Sequence, residues 1–306
     1  MEHDGITKQP VEGGVERIEL DSWQRFSALV ERHYAAVAPA YVFRGQANAE
    51  WPLLSTLDRL EKRFPTKRNY SGGTPAEFSI PPVSRSTHLR AFKELVRDKL
   101  STADSPKTEQ EWWALAQHHG LATPLLDWTF YPFIALFFAF EERYCLDKDG
   151  RERREPRERA VFAASTCTID KPEMPANTER VQVFVPMGVR SSRLVAQGGV
   201  FMEMPKGTDL EQYVKTQFEW DTQSIFPPPD PARSNPGARA ILQKIVIPNS
   251  DREGCLRWLN AMGINRARLF PDLEGVARYV NDMWALNFDT SHGYLLREVG
   301  KPEGAS

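Results

Sequence analysis

Cysteine is scarce in this 306-residue sequence, with Cys145, Cys167 and Cys255 far apart and no CxxC pair. An odd and scattered set argues against a disulfide framework and has no metal-ligand spacing. We therefore expect no metal site, and a reducing, cytoplasmic environment.

Long apolar runs and a strong net charge are also missing. The longest apolar run, residues 130–140, contains a proline and is too short to span a bilayer, and the first residues lack the apolar centre of a signal peptide. A formal net charge of −2 gives no bulk reason to expect nucleic-acid or membrane binding, although a local basic groove stays open. We expect no membrane partner.

Apolar side chains for a core are present, since hydrophobic residues make up 41% of the chain and aromatic residues 11%. Helix signals dominate the first half. Strands are predicted at 41–46, 125–129, 160–165, 181–185, 200–204 and 240–247. An irregular loop is predicted at 64–83, a solvated loop or hairpin tip at 147–159, and a proline-rich surface loop at 226–237. This order predicts an α+β protein with a flexible segment at 1–19, one domain at 20–285 and a C-terminal extension at 286–306.

The segment Phe43-Arg44-Gly45-Gln46 ends an apolar strand with a guanidinium group. Arginine has a planar fork of donors that suits phosphate or carboxylate, and glycine allows another group to approach the backbone closely. The alternative is a structural arginine–aspartate pair in which the glycine only turns the chain. Residue types alone leave both interpretations open.

The next polar group is Gln117-His118-His119-Gly120, in the last turn of a helix predicted to begin after Thr108. Polar side chains suit the negative end of a helix dipole. Adjacent helical side chains project about 100° apart, so the two histidines cannot both face one pocket. We expect one of them to act as a proton carrier or hydrogen-bond donor to a ligand.

Asp127-Trp128-Thr129 follows two leucines and precedes the apolar helix predicted at 132–140. The aspartate needs a partner there, which Arg44 or a histidine would supply. The tryptophan is either a core residue or a plate on which a planar ring stacks, and the threonine is expected to cap the helix.

Two later motifs are less specific. Gln197-Gly198-Gly199 is typical of a bulge or hairpin turn, or of a bare backbone beside a ligand. The segment at 269–275, LFPDLEG, is interpreted as an ordinary helix start capped by Asp272.

Taken together, FRGQ at 43–46, QHHGLATPLLDWT at 117–129, QGGVF at 197–201 and LFPDLEG at 269–275 resemble the FRG domain family of bacterial and phage proteins. The resemblance covers about residues 20–285. It implies a toxin or phage-defence role, with an antitoxin or a phage protein as partner. Pro124 departs from the pattern, where a basic or polar residue is expected after the threonine.

The order of the motifs is also similar to ADP-ribosyltransferases of the Arg–Ser–Glu type. That resemblance implies a split β-sheet surrounded by helices, NAD as the substrate, and a protein or nucleic-acid acceptor. The residues expected to bind NAD are Arg44, Gly45, Gln46, His118, Trp128 and Thr129, with Tyr131 as the alternative to Trp128 for stacking on nicotinamide. The residues expected to act in catalysis are Asp127, His119 and Gln197.

The main departure from the transferase pattern is Gln197, which stands where those enzymes carry an acid. The acid would then be Asp127, Glu203 or Glu274, or be missing. We therefore predict an NAD-dependent ADP-ribosyltransferase or NAD-cleaving effector. The alternative is a non-catalytic ligand-sensing or nucleic-acid-binding module. A hydrolase that uses His119 and Asp127 as a base pair lacks an evident nucleophile.

Overall fold

The structure is a computed structural model that describes residues 5–36, 40–64, 84–100, 105–146, 153–169, 180–186, 192–224 and 240–286. The strands are β1 (Ile6–Lys8), β2 (Val15–Leu20), β3 (Tyr41–Gln46), β4 (Leu125–Thr129), β5 (Cys145–Leu146), β6 (Arg153–Arg154), β7 (Glu158–Ser165), β8 (Gln182–Phe184), β9 (Gly199–Glu203) and β10 (Leu242–Pro248). The helices are α1 (Arg25–His33), α2 (Thr56–Arg63), α3 (Arg85–Val96), α4 (Glu109–His118), α5 (Pro132–Phe140), α6 (Thr166–Ile169), α7 (Ser192–Ala196), α8 (Leu210–Ser224), α9 (Arg252–Ala261), α10 (Arg266–Leu269) and α11 (Leu273–Ala285). Nearly all of the loops predicted at 64–83 and 226–237 lies outside the described residues.

The main sheet has eight strands in the order β1-β2-β10-β7-β3-β4-β9-β8. Its neighbours pair antiparallel, except β2 and β10, which run parallel. Helices pack around this mixed sheet, so the predicted α+β class is confirmed. All six predicted strands are present, with ends shifted by a few residues at most.

The expectation of a flexible segment at 1–19 does not fit β1 and β2. The apolar residues of β2 are buried, and Ile18 is fully shielded from solvent. Val15 pairs with Leu242 of β10, far away along the chain. A few apolar residues among polar neighbours give a weak sequence signal, and a partner at the other end of the chain gives none.

The centre of the molecule is β7, whose side chains alternate between two apolar clusters. Val161 and Ala163 face the cluster that includes α5, and Phe162 faces the opposite cluster. Six of the nine residues of α5 are buried, each large one contributing about 1.5–3 kcal/mol through its removal from water. As predicted, Pro132 occupies the start of this helix, where its missing N–H does no harm.

Gly45 explains how α5 packs so closely on the sheet. A Cβ atom at this position would collide with the carbonyl oxygen of Ala135 and the backbone nitrogen of Ala139. The bare backbone that the sequence suggested for a ligand is therefore occupied by α5. This corrects the predicted role of Gly45, although the residue does line the cleft described below.

The sheet is weakly joined between β3 and β4. Six residue pairs connect β3 to β7 and five connect β4 to β9, but only Phe43 and Thr129 pair between β3 and β4. The two strands separate beyond this pair. The sheet therefore consists of two well-paired parts, and a cleft opens where they part.

Candidate functional site

A cleft of about 800 Å³ opens beside the separation of β3 and β4. This volume is in the range of small-molecule binding sites. Eight of the nine residues predicted for the site line it, although they come from strands, a helix end and a turn far apart in the sequence. These residues are Arg44, Gly45, Gln46, His118, Asp127, Trp128, Thr129 and Gln197. His119 is not among the residues that line the cleft.

Arg44 bridges the two parts of the sheet. Its Nη1 donates to the backbone carbonyl oxygen of Asp127 at 2.7 Å and lies 4.0 Å from the carboxylate oxygen Oδ2 of the same residue. Burial lowers the pKa of the Arg44 guanidinium, and the charge of Asp127 opposes that shift. The buried Nε has no hydrogen-bond partner among the described residues. Both sequence interpretations therefore apply, because Arg44 has a structural bond and spare donors.

The carboxylate of Asp127 is exposed, with 67% of the side chain accessible to solvent. Its Oδ1 accepts a hydrogen bond of 2.6 Å from Nε2 of Gln117, and the hydroxyl of Thr123 donates to Oε1 of Gln117. This chain of bonds fixes the orientation of the amide. Gln117 therefore holds the carboxylate in place, a role that the sequence motif contained but did not identify.

Only one of the two histidines lines the cleft, as their spacing predicted. His118 lines the cleft, and its ring centroid lies 5.0 Å from that of His119, at a steep angle. Partial burial lowers the pKa of His118, and the neighbouring His119 and Arg193 add to the shift. His118 is therefore mainly neutral at pH 7 and can accept or donate a proton.

Trp128 and Gln46 form part of the inner wall. Trp128 is 3% exposed and belongs to the apolar cluster of the sheet, which agrees with the core role that the sequence left open. Gln46 is 4% exposed and donates through Nε2 to the carbonyl oxygen of Trp51 at 2.6 Å. Trp128 also lines the cleft, so its role beside a ligand stays a prediction.

Thr129 and Gln197 form hydrogen bonds that connect the elements around the cleft. The Thr129 hydroxyl donates to the carbonyl oxygen of Gln197 at 2.6 Å and accepts from the backbone nitrogen of Tyr131 at 3.1 Å. Nε2 of Gln197 donates to the carbonyl oxygen of Leu269 at 3.0 Å. These bonds tie the end of β4 to the turn before β9 and to α10. In this arrangement the Thr129 hydroxyl and the Gln197 amide nitrogen are used within the fold.

The motif at 269–275 also reaches the cleft. Asp272 caps α11 as predicted, accepting from the backbone nitrogen of Gly275 at 2.8 Å. Its Oδ2 in addition lies 2.6 Å from Nε of Arg193, whose guanidinium lies over the ring of Phe270. This hydrogen bond is the main reason why the pKa of Asp272 is lowered. Arg193 and Phe270 line one side of the cleft.

Arg59 is a cleft residue that sequence analysis missed. It projects from α2, a short helix that was not predicted and whose pattern marks none of its arginines as special. Desolvation lowers its pKa to about 10, and repulsion from Arg44 adds to the shift. Two cationic side chains therefore lie within electrostatic range of each other at this cleft.

The acids proposed as substitutes for Gln197 differ in position. Glu203 and Glu274 do not line the cleft; Glu203 is bonded to Gln110, and Glu274 pairs with Arg278. Asp127 does line it. Glu141, which follows α5, lines it too.

A family model of the FRG domain matches residues 39–148. The predicted resemblance is confirmed for this segment, which contains Arg44, Arg59, Gln117 and Asp127 but not Gln197. No curated protein and no solved structure matches the chain. Within the described residues, no helix combines the length and apolar character needed to cross a membrane.

Proposed function

We propose, from the FRG domain at residues 39–148, that the cleft binds NAD and that the protein is an ADP-ribosyltransferase or an NAD-cleaving effector. One observation carries the proposal. The parting of β3 and β4 brings the guanidinium of Arg44 and the exposed carboxylate of Asp127 side by side in one cleft. A cation for the phosphates and an anion for the ribose are the two charges that NAD cleavage needs.

The reaction breaks the bond between the nicotinamide nitrogen and C1′ of the ribose. The electron pair of that bond leaves with nicotinamide, and positive charge develops on the ribose. Water or an acceptor nucleophile then bonds to C1′ and releases a proton. In this proposal Arg44 holds the phosphates, while Asp127, fixed by Gln117, stabilises the developing cation. His118, largely neutral, is available to accept the released proton.

The assignment of an ADP-ribosyltransferase-like fold, with a split sheet surrounded by helices, belongs to the same proposal. The single pair that joins β3 to β4, and the cleft beside it, support this assignment. The toxin or phage-defence role, with NAD depletion or modification of a protein or nucleic acid as its effect, follows from the same resemblance.

A non-catalytic module that binds a phosphate-bearing ligand is the second candidate. The observation in its favour is that Gln197 has an amide in place of an acid and uses that amide to bond Leu269. Such a module would keep Arg44 as a phosphate contact and would need no carboxylate. It would bind NAD or nucleic acid and leave it intact.

Release of nicotinamide from NAD, measured by mass spectrometry, tests the proposed function. We expect release by the wild type and at least a hundredfold slower release by Arg44→Gln, which keeps polarity at the site and removes the charge. Binding of NAD without any release would establish the second candidate. Absence of both binding and release would contradict the NAD proposal.

A further inference from the structure

Some arginines of this protein pair with carboxylates, whereas the described residues give Arg59 no such partner. Arg85 lies 3.0 Å from Asp58, and Arg193 lies 2.6 Å from Asp272. For the Arg59 guanidinium, the described part of the chain offers no hydrogen bond and no ion pair. The side chain nevertheless lines the cleft.

Arg59 is exposed to solvent and lines the same cleft as Arg44, so two cationic side chains share this cavity. Arg44 lies close enough to lower the pKa of Arg59 by repulsion, in addition to the effect of desolvation. Asp127, the carboxylate nearest to Arg44, is 4.0 Å away, largely exposed and bonded to Gln117. It offsets only one of the two positive charges. An anion with two charged groups would offset both and would relieve their repulsion.

The helix that carries Arg59 is firmly anchored, so the guanidinium projects from a fixed element. Ser55 caps α2, and the backbone nitrogen of Leu57 donates to the carbonyl oxygen of Thr123 at 3.1 Å. Asp58 is fully buried and bonds both Arg85 and the backbone nitrogen of Gly207, at 3.0 and 2.9 Å. These bonds hold α2 against the segment that leads into β4, against the start of α3 and against the turn that follows β9.

We propose that Arg59 and Arg44 form a two-arginine clamp for a diphosphate group, with each guanidinium contacting a different phosphate. This inference rests on the proposed function for its physiological ligand, because NAD contains such a diphosphate. It assigns a binding role to Arg59 that neither the sequence motifs nor the family match indicates. A diphosphate is favoured over a single phosphate because the two arginines come from separate elements, β3 and α2.

Isothermal titration calorimetry with ADP, AMP and inorganic pyrophosphate tests the clamp without relying on NAD turnover. The wild type should bind ADP and pyrophosphate at least tenfold more tightly than AMP. Arg59→Ala should weaken ADP and pyrophosphate binding by at least tenfold and AMP binding by less than threefold, so that the preference for two phosphates disappears. Its melting temperature should not fall, because the charge removed has no partner to lose.

Arg63→Ala is the matched control. Arg63 lies on the same helix, one turn further along, and its guanidinium stacks over Phe64 away from the cleft lining. This variant loses the same charge and should bind ADP within twofold of the wild type. An equal loss in Arg59→Ala and Arg63→Ala would reduce the effect to overall charge and would overturn the clamp.

The outcomes separate the clamp from the proposed function. If ADP binding depends on Arg59 but NAD is never cleaved, the clamp stands and the enzymatic proposal falls. If NAD is cleaved and Arg59→Ala binds ADP and cleaves NAD like the wild type, the clamp falls and the enzymatic proposal stands. A wild type that binds none of the three probes at millimolar concentration contradicts the clamp.

Discussion

Asp127 is the single residue whose substitution best separates an enzyme from a binding module. Asp127→Asn keeps the size of the side chain and an oxygen for the hydrogen bond from Gln117, but removes the charge. In an enzyme, the turnover number for NAD should fall by roughly a hundredfold or more, because that charge matters most in the transition state. The dissociation constant of NAD should change by less than threefold. Single-turnover kinetics and calorimetry on the same preparation measure the two quantities.

The kinetic result for Asp127→Asn can be interpreted only if the variant keeps the wild-type fold. The exposed carboxylate contributes little to stability, so the melting temperature should stay within about 2 °C of the wild type. A variant with full turnover and unchanged stability would remove Asp127 from the reaction. Weakened NAD binding with no turnover in either protein would favour the sensing module.

Among the elements, the contact between β3 and α5 depends on Gly45. Gly45→Ala places a methyl group against the backbone of Ala135 and Ala139, which a helix cannot move aside cheaply. We expect the free energy of unfolding to fall by about 3 kcal/mol or more, measured by urea denaturation.

Gly120→Ala is the comparison for Gly45→Ala. Gly120 follows α4 with a positive φ of 85°, and nothing would contact an added Cβ within 4 Å. It should cost only about 1 kcal/mol, the conformational penalty of alanine there. Similar losses for the two substitutions would show that the close approach of α5 is not what Gly45 provides.

The junction of α5, α10 and α11 should make stability depend on pH. One guanidinium, that of Arg266, lies 3.0 Å from Glu141, 3.8 Å from Glu142 and 2.9 Å from Asp282. One positive charge cannot fully offset three carboxylates. Burial raises the pKa of Glu141 to about 7; the charges of Glu142 and Asp282 add to this shift, and Arg266 opposes it.

The sign of this effect follows from proton linkage. Between about pH 4.5 and 7 the folded protein retains a proton on Glu141 that the unfolded chain releases, so unfolding becomes easier as the pH rises through this window. Glu141→Gln should remove this dependence. Its unfolding free energy relative to the wild type should rise by about 1–3 kcal/mol between pH 4.5 and 8. Glu142→Gln, at a more exposed carboxylate, should show no such trend, and parallel curves for Glu141→Gln and the wild type would contradict the assignment.

For the whole molecule, the cleft couples ligand binding to the stability of the sheet. A ligand bound by Arg44 and Arg59 would contact β3 and α2. Arg44 is in turn bonded to the carbonyl oxygen of Asp127 on β4, so the ligand would be linked to both parts of the sheet. At a hundredfold excess over its dissociation constant, ADP should raise the free energy of unfolding by about 2.7 kcal/mol.

Thermal melting in the presence of ADP measures this coupling. The rise should shrink when salt is increased from 50 to 500 mM, because screening weakens charge-based binding. Adenosine, which lacks phosphate, is the control and should leave the melting temperature unchanged. An equal rise with adenosine would show that the cleft recognises the nucleoside and not the charge.

Local signals were enough to predict much of this molecule. Neighbouring residues decide apolar periodicity and short-range hydrogen bonds. These local features predicted the α+β class, the strands at 41–46 and 125–129, and the cap at Asp272. The motif residues could also be predicted as a group, because polar groups at the ends of buried elements need hydrogen-bond or charge partners.

The pairing of distant segments and the use of each polar atom were decided only by the tertiary structure. β2 pairs with β10, the backbone of α5 packs against Gly45, and the amide nitrogen of Gln197 donates to the carbonyl oxygen of Leu269. Arg59 became a cleft residue because α2 is anchored to distant residues that the local sequence does not reveal. Burial, repulsion and hydrogen-bond partners are properties of groups brought together in space, so no pattern along the chain encodes them directly.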